Sequence, residues 1–70
     1  MDAKVAKAQV TNAKDGQDCI HESITYVRRV LKASEGDTLA TEVENLMEQL
    51  KAAASSFTGL KAALEARAKA

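Results

Sequence analysis

Ser34-Glu35-Gly36-Asp37-Thr38 is the one strong turn signal in this chain of 70 residues. Gly36 suits the left-handed conformation that ends a helix, and Asp37 or Thr38 can cap a helix that follows. The flanking charges agree with that reading. Arg28, Arg29 and Lys32 crowd the approach to the turn, while Glu42, Glu44 and Glu48 follow it. Cations at a helix C-terminus and anions at the next N-terminus both complement the macrodipole.

Outward from the turn, Leu39, Val43, Leu46, Leu50, Ala53, Phe57, Leu60 and Leu64 recur in alternating steps of four and three. Before it, Ala6, Val10, Ala13, Gln17, Ile20, Ile24, Val27 and Leu31 keep the same alternation with one polar member. These are two heptad stripes, each a narrow seam that its own helix cannot bury. The expected fold is all-α: an antiparallel, coiled-coil-like two-helix hairpin, roughly 45 Å long at 1.5 Å per residue. It forms a single domain over residues 1–70, with helix 1 at about 3–33, the turn at 34–37 and helix 2 at about 38–68. A mirror point near residue 35 sets Leu31 against Leu39, Val27 against Val43, Ile24 against Leu46 and Ile20 against Leu50. Further out it sets Gln17 against Ala53, Ala13 against Phe57, Val10 against Leu60 and Ala6 against Leu64. Gln17 reads either as a polar residue that fixes register or as a half-exposed side chain beside Gly16. Residues 12–18 are the weak stretch, because Gly16 costs about 1 kcal/mol relative to Ala in a helix. A break there would shrink the firm hairpin to about 18–64.

Composition bounds the rest. Of the 32 residues in the hydrophobic class, 14 are Ala, and Leu, Ile, Val and Phe together number 14, so bulky core material is scarce. Ten basic and ten acidic residues cancel, and Pro is absent, which removes self-repulsion and leaves helix the cheapest backbone state. A chain this short buries only about 60% of its extended surface, so self-association or a partner helix is expected to complete the bundle. The lone Cys19 offers no internal disulfide, no apolar run is long enough to span a bilayer, and the N-terminus has no secretory pattern. A cytoplasmic protein without membrane contact is the expectation.

Two patterns lie off the seams. On helix 1, Cys19, Ser23, Tyr26 and Val30 repeat by four, three and four, and on helix 2, Ala52, Ser56, Gly59, Ala63, Ala66 and Ala70 form a stripe of small residues. Small side chains let two backbones approach closely. Cys19, Ser23, Tyr26, Val30, Ala52, Ser56, Gly59 and Ala63 are therefore the candidate protein interface, for a homodimer or a helical partner protein. A second edge, Lys7, Lys14, His21 and Arg28, follows a strict seven-residue step that could lie along a phosphate backbone. Asp15, Asp18 and Glu22 beside it, and the lack of interleaved aromatics, disfavour nucleic acid.

Chemistry is thin. One His, one Cys and one Tyr do not furnish a catalytic constellation, and Cys19 and His21 stand two apart, on different helix faces. Asp18, His21 and Glu22 supply at most two or three ligands and fall off the seam, so no metal or cofactor is expected. The function implied is a non-enzymatic protein–protein interaction module, an adaptor, co-chaperone or assembly subunit. In its two heptad stripes and Gly36 turn the layout resembles two families. One is the short helix-turn-helix co-chaperones of type III secretion, which implies a chaperone role. The other is the Rop family of plasmid copy-control proteins, which implies a dimeric four-helix bundle binding structured RNA. Neither family contributes a motif that can be carried onto particular residues of this chain.

Overall fold

The computed structural model describes residues 1–69. Helix α1 runs Ala3–Ala33 and helix α2 runs Ala40–Lys69, packed together as a hairpin whose Cα trace measures 52 × 14 × 12 Å. Among the described residues there is no strand. Asp2 opens α1 by accepting the Val5 amide on its carboxylate at 2.8 Å, an N-cap that satisfies one of the four free amides of the first turn. Ser34 closes the helix: its amide and its hydroxyl both donate to the Val30 carbonyl, at 2.9 and 2.7 Å. Gly36 takes the left-handed conformation with φ 78°. Asp37 then accepts the Leu39 amide at 2.9 Å, and α2 starts at Ala40, two residues later than the turn chemistry implied.

Helix α1 is continuous through Gly16, and the reason is a cross-helix contact. A Cβ built on Gly16 would lie 2.7 Å from Cε1 of Phe57, so the missing side chain is the seat of the Phe57 ring. The roughly 1 kcal/mol helix penalty of Gly16 is offset by the aromatic packing it admits.

The longer turn moves the register. Gly16 lies under Phe57, and the Gln17 amide donates to the Thr58 hydroxyl and to the Ala54 carbonyl. Facing residues therefore mirror about residue 36 or 37, midway between Ala33 and Ala40, and not about residue 35. The seam pairs expected from the sequence are displaced by about one residue of turn at each end. Ala6, Ala13 and Leu64 form the buried cluster near the open end of the hairpin, with Val10 and Ala68 packed against it.

Helix α2 is also rotated. The α1 seam is as expected, with Ala6 and Ala13 buried and Val10, Gln17, Ile20, Ile24, Val27 and Leu31 partly buried. On α2, Val43, Leu50, Phe57 and Leu64 face inward, but Leu39, Leu46 and Leu60 remain 55, 45 and 50% exposed. The residues one step on, Ala40, Met47, Ala54 and Lys61, turn in instead, with Met47 only 5% exposed. Exchanging one member of each heptad pair for its neighbour swings the seam by about half of the 100° step between residues. Gln17 favours this orientation, because its amide donates across the seam to both the Ala54 carbonyl and the Thr58 hydroxyl. Lys61 tolerates it by laying its aliphatic stem over the seam while its amine reaches Glu65 at 3.6 Å.

Candidate interaction face

Rotation of α2 decides which surface the hairpin presents. Leu39, Leu46 and Leu60 repeat every seven residues along one flank of α2, with half-buried Ala53 between them. Val5, Cys19 and Tyr26 share one seven-residue track along a flank of α1, with Val30 on the adjoining one. A groove of about 310 Å³ shows that the two flanks lie on the same side of the hairpin, because Met1, Gln9 and Asn12 line it together with Phe57, Leu60 and Leu64. Among the described residues the seven large apolar side chains that stay exposed, namely Met1, Val5, Tyr26, Val30, Leu39, Leu46 and Leu60, thus belong to one face.

Among the residues expected at the interface, Cys19, Tyr26 and Val30 are exposed on this face, and Ser23 is half-buried at its boundary with the seam. The Arg29 guanidinium lies 5.2 Å from the centre of the Tyr26 ring, a cation–π contact along α1. Ser56 and Ala63 flank the same face from α2; Ala52 and Gly59 sit further round on the outer side of that helix. Gly59 has no atom within 4 Å of where a Cβ would be. Ala70, the last member of the small-residue stripe, lies outside the described residues. The sequence reading missed Leu39, Leu46 and Leu60 as surface because their period matched the seam. The signal that points to them is Met47, whose track through Ala40, Ala54 and Lys61 is an equally regular heptad.

The opposite face is polar. Lys7, Lys14, His21 and Arg28 are all exposed along it. Lys14 pairs with Asp18 at 3.3 Å, and Lys7 shares a second groove with Thr11, Glu65 and Lys69, so acidic groups interrupt the basic edge. Asp18, His21 and Glu22 are exposed as well.

No protein-family model, curated protein or solved structure matches this chain. Its layout likeness to the type III secretion co-chaperones and to the Rop family therefore adds no residue to the face described above.

That face leaves apolar surface uncovered. Among the described residues only four apolar ones are buried, and three of them reach 4% or more exposure. The surface totals 5108 Å², where a compact protein of 7.5 kDa exposes roughly 4,200 Å². Full burial of a Leu, Val or Tyr-sized group is worth about 1.5–3 kcal/mol, so seven half-covered ones leave several kcal/mol unrealised. In a chain whose whole stability is of that order, such an unrealised term is large. Among the described residues no helix is long and apolar enough to cross a membrane.

Proposed function

We propose that the protein is a non-enzymatic protein–protein interaction module, a small helical hairpin that serves as an adaptor, co-chaperone or assembly subunit. The observation that supports this is the gathering of every exposed large apolar side chain on one face, which is how a surface that docks another protein differs from scattered apolar residues. Partner helices suit it, because two parallel tracks with a groove between them accept an amphipathic helix along the hairpin. The same reading places the chain in the cytoplasm, where the exposed thiol of Cys19 stays reduced.

Structured-RNA binding along Lys7, Lys14, His21 and Arg28 is the competing reading, and the ion pair of Lys14 with Asp18 weakens it. A titration with hairpin RNA at two salt concentrations separates the two, since phosphate contacts make affinity fall steeply with salt. No salt-dependent binding is expected.

The direct test is circular dichroism over a dilution series. Helix content and thermal stability that are low in the dilute, isolated chain and rise when the face is covered are the expected result. A fully helical, cooperatively melting monomer at every concentration would overturn the reading, because such a hairpin has no need of company.

A further inference from the structure

We infer that the occupant of the apolar face is a second copy of this chain, docked by a two-fold axis that crosses both hairpins at mid-length and sets the bend of each over the open end of the other. This rests on the interaction reading above and names its partner. Area permits it. The hairpin exposes about 900 Å² more than a compact chain of its mass, an excess spread over the whole rod, while a standard stable interface takes roughly 800 Å² from each partner. A net charge of zero means that two copies do not repel.

Shape selects the direction. Tyr26, Val30, Leu39 and Leu46 are exposed in the bend half and Met1, Val5 and Leu60 in the open half, where alone a groove, lined by Gln9, Asn12, Phe57 and Leu60, offers a seat for a bulky side chain. Two copies with their bends together would set hollow against hollow and leave a void; two copies reversed set bulk into hollow. Greatest overlap puts the axis through the helix midpoints, residue 18 of α1 and residues 54 to 55 of α2. Each α1 then lies antiparallel on its counterpart, so Tyr26 of the second copy falls over the groove at Gln9 and Asn12. Val30 likewise meets Val5. Along α2, Glu42 of one copy comes level with Arg67 of the other, an opposite-charge pair at each end. Cys19, one residue from the axis and exposed on this face, comes beside its own symmetry mate.

That last consequence supplies the test. The purified full chain is analysed by sedimentation equilibrium, then treated with a mild copper oxidant at concentrations above and below the measured association range. A dimer that forms the Cys19–Cys19 disulfide rapidly, and keeps its helicity and its melting behaviour afterwards, is expected. A second variant, Cys19→Ser with Val5→Cys and Val30→Cys, is expected to cross-link between copies as well, since residues 5 and 30 are at opposite ends of one helix and cannot join within a chain. Glu42→Arg alone should weaken dimerisation at least tenfold, and adding Arg67→Glu should restore most of it. Dimers in which neither cysteine set cross-links overturn the reversed arrangement. A chain that stays monomeric and poorly helical at all concentrations overturns the second copy while leaving the interaction reading in place. A monomer that is fully helical overturns both.

Discussion

The two broad faces of the hairpin are built from the same two helices yet obey different physics. One carries Tyr26, Val30, Leu39, Leu46 and Leu60, half-covered, with the Arg29 guanidinium against the Tyr26 ring. The other carries Lys7, Lys14, His21 and Arg28 interleaved with Asp18 and Glu65, with Lys14 and Asp18 paired at 3.3 Å. Exposed ion pairs of this kind contribute about 0–1 kcal/mol and are content in water. Exposed Leu and Tyr gain from being covered, and the contrast separates a side suited to solvent from one that leaves apolar surface uncovered.

The sharpest way to break that comparison is to charge each face in turn. Tyr26→Glu with Leu46→Lys is expected to weaken association at least 100-fold, since two bulky groups worth about 1.5–3 kcal/mol each lose their burial. Lys14→Glu with Arg28→Glu should change it by less than about threefold, both read by sedimentation equilibrium. Equal losses from the two faces would erase the distinction.

The seam must hold either face in place, and Phe57 is its largest side chain. Phe57→Ala is expected to cost about 2–4 kcal/mol in urea unfolding, at the lower end of the range for aromatic truncation because the ring is only partly buried. Gly16 sharpens this further. Gly16→Ala should be neutral to destabilising while the ring is present, and should stabilise by about 1 kcal/mol once Phe57 is Ala, where only helix propensity is left to act. A substitution effect identical in both backgrounds would dissolve the contact.

The smallest effect probes the outer side of α2, away from both faces. Gly59→Ala is expected to add about 0.5–1 kcal/mol of stability and leave association unchanged, because open space surrounds the position. Weakened association would instead show that a neighbour approaches the small-residue stripe through Ala52, Ser56 and Gly59.

Much of this architecture was legible from residue order. Gly36 in its left-handed conformation and the α1 seam from Ala6 to Leu31 are where period and turn chemistry put them, and Cys19, Tyr26 and Val30 are exposed off that seam. The N-cap at Asp2 is legible too, by its residue type. Leu39, Leu46 and Leu60 were misread as core. Period alone cannot choose between two heptad tracks that share Val43, Leu50, Phe57 and Leu64, and bulk argued for the Leu track. The choice rests on where α1 offers a slot and an amide, at Gly16 and Gln17, and that is information held by the other helix.

Local chemistry, then, settles two helices, one bend and their antiparallel course, because helix propensity, capping and a seven-residue period act within a few residues along the chain. Only the packed pair decides the mirror point near residue 36 or 37, the swing of α2 that buries Met47 and leaves Leu46 outside, and the use of Gly16 as a seat for Phe57. Those outcomes are set by side chains more than 35 positions apart meeting at close-packed distances, where a ring and a missing Cβ outweigh the preference of any one helix.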